Sequence, residues 1–248
     1  MCDKSRKILI LGGTGLARQA AARLRNQGHE VIYSLAGITT NPRLPADVRI
    51  HRGGFGGARG LAEWLRREGA DCLLDATHPF ATTIQANAAA AAKMADVPRL
   101  RLAHEPWRPG REDRWIAAES IAHAATMMPQ GARAFAALGS KGLAALRPRP
   151  DLRLFARVMT PPHFSPPPRW RIIREGPRGC VARELALLRA SRAQWLICRN
   201  SGAPSGLPLL RAARTLRLPV LMVARPQNEN DGLTRDLEGL ARAVQKSA

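Results

Sequence analysis

Apolar residues recur along this chain in two rhythms. Short apolar runs, such as KILIL (7–11), EVIYSL (30–35) and DCLLD (71–75), alternate with longer stretches rich in alanine, leucine and arginine. A short run bounded by glycine or polar residues suits a buried strand, whereas apolar residues recurring every three to four positions suit one face of a helix. LARQAAARLRNQG (16–28) predicts a helix closed by Gly28. ARGLAEWLRREG (58–69) puts Leu61, Trp64 and Leu65 on one helical face and stops at Gly69. DVRIHR (47–52) and RLRLA (99–103) predict strands, and alanine content makes 81–95 helical. The order is repeated β-α-β, the pattern of a parallel sheet covered by helices on both faces.

The second half repeats it. Strands are predicted at ARAFAAL (132–138), LRLFARV (152–158), RIIRE (171–175), QWLICR (194–199) and LPVLMVA (218–224). Helices are predicted at SKGLAAL (140–146), CVARELALLRAS (180–191), SGLPLLRAARTL (205–216) and near 231–246, and TPPHFSPPPRW reads as a proline-rich loop. No strict repeat links the halves. They read as two doubly wound α/β domains, 1–130 and 131–248, with the boundary near Pro129 to Gly131.

Composition narrows the function more than the fold. The chain has 248 residues, 45% of them apolar but only 4% aromatic, so aliphatic side chains build the core. No apolar run approaches the roughly 20 residues of a membrane helix. The basic, briefly apolar start reads as a first strand, which predicts a cytoplasmic protein that binds no membrane. Cys2, Cys72, Cys180 and Cys198 form no CxxC pair, so no metal site is expected. The net charge of +20 is carried almost entirely by arginine. Such a field attracts a polyanion, either nucleic acid or a polycarboxylate ligand, unless it reflects compositional bias alone. The arginines are scattered and no aromatic-rich strand accompanies them, which argues against nucleic acid.

Candidate chemistry gathers where strands hand over to helices. GGTG (Gly12, Gly13, Thr14, Gly15) follows the first strand and opens the first helix, a design that admits a phosphate to backbone N–H groups. It is not the full G-x-G-x-x-G pattern, and a plain tight turn is the alternative. The second strand ends without the carboxylate that a ribose-binding NAD site uses. Ser34, Thr39, Thr40 and Arg43 suit a 2′-phosphate instead, so a nicotinamide cofactor here would be NADPH. GGFGG (53–57) offers a pliant loop with Phe55 as a wall, or else a linker. DATHPFA (75–81) lies at the carboxyl end of the fourth strand. There Pro79 would start the next helix, Thr77 or His78 would cap it or meet a ligand, and Asp75 would hold the loop through backbone N–H groups. In RNSGAP (199–204), Arg199 suits a carboxylate, and Asn200, Ser201 and the Gly202 backbone suit an anion, against the alternative of an ordinary capped helix start.

Taken together, ILILGGTGLAR, YSLAG, GGFGG, DATHPFA, LAHEPW, ALG (137–139), ICRNSG and VLMVARP resemble the precorrin-6A reductase family of corrin biosynthesis, in family order from residue 8 to 226. The resemblance implies two Rossmann-like domains with a cleft between them and NADPH as hydride donor. The substrate would be an anionic tetrapyrrole, precorrin-6A, reduced at its C18–C19 double bond to precorrin-6B. Transient contact with neighbouring corrin-pathway enzymes is a further expectation. Arg18, Ala36, Gly37, Asp75, Ala76 and Thr77 would join the glycine turn in holding the cofactor. Phe55, His78, Pro79, Phe80, Trp107, Arg157 and Arg199 to Gly202 would meet the macrocycle. His78 and Arg199 would serve catalysis, His78 as a proton source beside water. Gly15, Leu16, Ile38, His104 and Arg199 depart from the family pattern, the last replacing a lysine. Arginine cannot give up a proton as lysine can, so an electrostatic role is expected at 199. Rival readings are a cobalt-precorrin-6A reductase using NADH, another NADPH-dependent reductase or epimerase, and a catalytically drifted tetrapyrrole- or nucleotide-binding protein. No Tyr-x-x-x-Lys pair marks a short-chain dehydrogenase, since Tyr33 on the second strand is the one tyrosine.

Overall fold

The computed structural model describes residues 5–35, 44–226 and 233–246. The chain opens with β1 (Lys7–Leu11), α1 (Gly15–Asn26), β2 (Glu30–Leu35), β3 (Arg49–Arg52) and α2 (Gly57–Glu68). It continues with β4 (Cys72–Asp75), α3 (Thr82–Ala95) and β5 (Arg99–Leu102). Residues two apart on a strand face the same way. In β1, Ile8 and Ile10 therefore enter one core with Leu16 and Leu24 of α1, while Leu9 and Leu11 enter another with Leu61 and Leu65 of α2 and Ala88 and Ala91 of α3. An unbroken apolar strand needs this double cover, which is why these runs show no polar alternation. Gly69 ends α2 in the left-handed region at φ +61°, as a helix C-terminus favours.

The second series is β6 (Trp115–Ala118), α4 (Ile121–Thr126), β7 (Arg133–Ala137), α5 (Gly139–Leu143), β8 (Arg153–Val158) and β9 (Trp170–Arg174). Then come α6 (Val181–Ala190), β10 (Trp195–Arg199), α7 (Leu207–Thr215), β11 (Val220–Val223), β12 (Leu233–Thr234) and α8 (Leu237–Lys246). All strand pairs are parallel, in two six-stranded sheets ordered β12-β5-β4-β1-β2-β3 and β6-β11-β10-β7-β8-β9. In each sheet the winding reverses beside a central strand, at β1/β4 and at β7/β10. Such a reversal opens a crevice beyond the carboxyl ends of the strands.

The expected doubly wound α/β class is therefore found, but the division of the chain falls elsewhere. The compact units are residues 1–105 with 226–248, and residues 106–225. The expected boundary near Pro129–Gly131 is too late because β6 and α4 precede it and belong to the second sheet, with Trp115 paired to Val220. The expected C-terminal domain also runs too far. β12 pairs with β5, Leu233 opposite Arg101, and α8 buries Leu240 and Val244 fully in the first unit's core. Each of these two side chains contributes about 1.5–3 kcal/mol by leaving water. The final helix begins at Leu237, after the expected 231, where Asp236 accepts the Gly239 N–H at 2.6 Å.

Candidate active site

The first crevice starts where β1 stops. Gly12 donates its N–H to the Ser34 carbonyl at 2.9 Å, and a Cβ at this position would lie 2.3 Å from Cζ of Tyr33. Only glycine fits over that ring. Gly13 adopts φ +104° and donates its N–H to the Tyr33 hydroxyl at 3.0 Å. Tyr33 is fully buried. Burial pushes its phenol pKa up, with the Gly13 bond and the nearby Arg18 charge pulling the other way, so the hydroxyl stays neutral. Thr14 caps α1 by accepting the Ala17 N–H at 3.0 Å, and its hydroxyl donates to the Ala76 carbonyl at 2.9 Å. That bond joins the glycine turn to the end of β4. Arg18 folds back on the turn, Nη1 donating to the Thr14 carbonyl at 3.3 Å and Nη2 lying 3.7 Å from where a Gly15 Cβ would stand. A left-handed backbone at Gly13, no room for a side chain at Gly12, a helix start and a guanidinium beside it fit a diphosphate. Of the other residues expected at this cofactor site, Ser34 is buried and serves the turn through its carbonyl. Ala36, Gly37, Thr39, Thr40 and Arg43 lie outside the described residues.

The loop after β4 is held from within. The Asp75 carboxylate is 1% exposed. It accepts from the Thr77 N–H at 3.2 Å, the Thr77 hydroxyl at 2.7 Å and Arg99 at 2.9 Å, with Arg101 at 3.8 Å. Burial lowers the Arg101 pKa, and the Asp75 charge offsets it. Ala76 spends its N–H on Leu11 and its carbonyl on Thr14. Asp75, Ala76 and Thr77 thus shape the loop by bonding to the protein's own groups. Pro79 does not start α3, and neither Thr77 nor His78 caps it. Pro79 instead sits second in a turn closed by the Ala81 N–H on the His78 carbonyl at 2.8 Å, and α3 begins at Thr82. Its fixed φ suits that turn position. His78, Pro79 and Phe80 are half-buried, with the His78 and Phe80 rings 5.8 Å apart.

Phe55 is not a free wall. Its ring stacks on His51 at 4.6 Å and meets Trp64 edge-on at 5.4 Å, part of the first unit's core. The GGFGG loop is accordingly anchored. Gly53, Gly56 and Gly57 supply left-handed turns, and a Cβ on Gly60 would strike the Phe55 carbonyl oxygen at 1.8 Å. Burial, then the Arg49 charge, pulls the His51 pKa down.

The second crevice has different furniture. After β7, Gly139 turns at φ +68°, and Nη2 of Arg199 lies 3.3 Å from where its Cβ would stand. The Ser140 hydroxyl donates to the Thr160 carbonyl. Burial lowers the Arg199 pKa, yet a guanidinium stays charged, so a cation sits partly stripped of water beside this turn. Asn200 is committed elsewhere. Its side-chain oxygen accepts the Trp107 N–H at 2.7 Å and its amide donates to the Trp107 carbonyl at 3.0 Å. The Trp107 ring packs onto Gly206, whose Cβ would be 2.5 Å away, and the buried indole N–H has no partner. Ser201 accepts the Ala203 N–H at 3.4 Å, and Gly202 turns at φ +70°.

Arg157 is not displayed for a ligand carboxylate. Its Nη1 lies 2.8 Å from both oxygens of Glu184, which is fully buried and also accepts the Arg178 N–H at 2.9 Å. A buried carboxylate requires such a partner. Three contributors escaped sequence reasoning. Tyr33 was noted only for a dehydrogenase motif it lacks. Gln85, 3% exposed, donates to the His78 carbonyl at 2.9 Å and to the Thr77 hydroxyl at 3.4 Å. Arg225 donates to the carbonyls of Asn200 and Ser201, both at 2.8 Å. The arginine closing VLMVAR and the lone glutamine in an alanine helix were the available signals.

Among the described residues, no cluster of histidine, cysteine or acidic side chains could hold a metal, and no helix is long and apolar enough to cross a membrane. The family profile described as precorrin-6x reductase CbiJ/CobK matches residues 7–245. A precorrin-6A reductase of Rhodococcus erythropolis is 43% identical over 223 residues, 89% of each chain. One of Rhodobacter capsulatus is 36% identical over 238 residues, 94% of each chain. A solved structure described as CobK precorrin-6A reductase is 34% identical, with a TM-score of 0.91, covering 98% of this chain and 97% of that one. Matched by the family profile, by its relatives and by a solved fold along nearly its whole length, the chain belongs to the precorrin-6x reductase CbiJ/CobK family.

Proposed function

We propose that this protein is a precorrin-6A reductase that uses NADPH to reduce the C18–C19 double bond of its tetrapyrrole, giving precorrin-6B. The near full-length match to reductases of that name carries the reaction. A reductase of this family calls for a nicotinamide donor, and NADPH is the finer reading. It rests on the missing carboxylate at the end of β2 and on Arg18 beside the glycine turn. A bound reduced nicotinamide supplies the hydride, and one proton from another source completes the addition across the double bond.

The protein's own groups orient and polarise. Gly12 to Gly15 and Arg18 would receive the diphosphate, their shape fixed by Tyr33 and by the Thr14–Ala76 bond. Arg199 would hold a macrocycle carboxylate or stabilise charge that builds as hydride arrives. Its partly desolvated position strengthens either effect. The loop after β4, with His78, Pro79 and Phe80, and the second crevice, with Trp107 and Gly202, are each a candidate for contact with the macrocycle. Asn200 and Ser201 would contribute by holding Trp107 and the following turn in shape.

The test is oxidation of NADPH and of NADH by the purified protein, each with and without precorrin-6A. Macrocycle-dependent oxidation, faster with NADPH, is the expected result. Faster oxidation of NADH overturns the donor assignment, and tight macrocycle binding without oxidation of either overturns the enzyme reading.

A further inference from the structure

We propose that His78 acts as a neutral hydrogen-bond donor through Nε2, held in that form by the Phe80 backbone and by Gln85, and that it is not the source of the proton added to the substrate. The inference rests on the reading above that the loop after β4 faces the reacting ligand.

Nδ1 of His78 accepts the Phe80 N–H at 3.2 Å. A ring nitrogen that accepts a hydrogen bond carries no proton, so the neutral imidazole keeps its single proton on Nε2. Protonating Nδ1 would turn two N–H groups towards each other and forfeit that bond. A neutral ring that gave up its Nε2 proton would be left an imidazolate anion, and the cationic ring that gives up a proton readily would need Nδ1 protonated and its bond to Phe80 lost. That favours donation of a hydrogen bond over transfer of a proton.

The bond is held by its surroundings. The His78 carbonyl accepts two hydrogen bonds, from the Ala81 N–H at 2.8 Å and from Nε2 of Gln85 at 2.9 Å. Both of its lone pairs are used, and the peptide carrying the ring is fixed. Gln85 also reaches the Thr77 hydroxyl, which donates to Asp75, which is paired with Arg99. Gln85 lies in the first turn of α3 and is 3% exposed, an expensive place for an amide unless its donors are used. It is a positioning residue. It fixes the turn, and the turn fixes the tautomer.

An Nε2–H donor recognises an acceptor oxygen, so the ligand group it would meet is a carboxylate or carbonyl. The atoms balance without a proton from His78. Hydride goes to one carbon of the double bond, and a solvent-derived proton goes to the other.

The experiment compares two substitutions at 78. In His78→Gln the amide nitrogen can stand where Nε2 stood and donate, yet it cannot deliver a proton. We expect His78→Ala to lower kcat/KM about 100-fold and His78→Gln only about tenfold, the scale of a hydrogen bond to a charged group against an imperfect replacement. Equal losses in both variants would make His78 the proton source and overturn the proposal. Full activity in His78→Ala would instead overturn the placement of the loop at the ligand. Long-range 1H–15N correlation spectra of the full-length protein labelled at histidine read the tautomer independently of turnover. An Nε2–H ring is expected, and an Nδ1–H ring would overturn the lock alone. Gln85→Leu, which removes both donors at similar volume, should mix the tautomers in the same spectra and raise the macrocycle KM about tenfold while kcat stays within about threefold. An unmixed spectrum there would show that Gln85 does not fix the tautomer.

Discussion

The two crevices stand at the same topological position in two sheets of the same winding, yet they are equipped in opposite ways. At β1/β4 the buried charge is a carboxylate, Asp75, turned inward and neutralised by Arg99. What the turn offers a ligand is the backbone of Thr14 and Gly15 at the start of α1, the N–H groups of Gly12 and Gly13 being spent on Ser34 and Tyr33, with the Tyr33 ring packed against the turn. At β7/β10 the glycine turn is reduced to Gly139, and the outward feature is the Arg199 side chain beside it. Backbone N–H groups with a helix start suit a diphosphate, while a guanidinium suits a carboxylate. The winding sets where a ligand can lie, and a handful of side chains at each reversal decides which ligand.

The largest test of this contrast concerns a cation assigned to scaffold. Arg157→Leu should destabilise the protein by about 3–5 kcal/mol, because it strands a buried Glu184. Denaturant unfolding reads this directly, and under folding conditions the macrocycle KM should stay near that of the parent. A stable variant with a raised KM would move Arg157 into the second crevice and undo the division of labour. Next comes Arg199→Ala, expected to lower kcat/KM for the macrocycle about 100-fold, with Arg199→Lys within about tenfold. Loss of NADPH affinity in place of macrocycle affinity would exchange the roles of the two crevices.

Smaller but sharper is a matched pair of alanines. Gly12→Ala pushes the Tyr33 ring, at a cost of about 1–3 kcal/mol, and should raise the NADPH KM. Gly139→Ala forces a left-handed alanine, at about 1–2 kcal/mol, and should raise the macrocycle KM alone. If both variants disturb the same ligand, the crevices are not separate in function. The smallest effect uses a cysteine in the equivalent strand of each sheet. Burial pushes the thiols of Cys72 and Cys198 up to about 12 each, so among the described cysteines only the exposed Cys180 should react with alkylating reagent at neutral pH. Because both folded thiols hold their protons more tightly than unfolded ones, their contribution to stability is present at neutral pH. It falls away as pH rises above the ordinary thiol range towards 12. Labelling rates of Cys72 and Cys198 against pH would show which sheet opens first.

Much of this could be read from residues alone, and the failures have a common cause. Unbroken apolar runs made β1 and β2 legible to the residue, since a strand buried on both faces advertises itself. The edge strand β6 is four residues between Arg114 and Glu119, and β12 is two residues, too short to show a period. Missing them displaced the domain boundary. At the site, glycines and the DATHPFA loop were visible as candidates because their residue types are unusual for a strand end. Their roles were not visible. Asp75 is spent on Arg99, Arg157 on Glu184, and the carbonyl of Asn200 on Arg225, all partners more than twenty positions away. Sequence displays which polar groups exist; only the packed chain shows which are already satisfied.

The closing of the first sheet by β12 and α8 sets an order of events during synthesis. The unit that leaves the ribosome first is finished last, because Leu240 and Val244 arrive only after the whole second unit has been made. Until then the apolar side of α1 and the free edge of β5 wait uncovered, while residues 106–225 already hold every strand of their own sheet. A chain truncated after residue 225 and released should therefore carry a protease-resistant second unit behind a protease-sensitive first one.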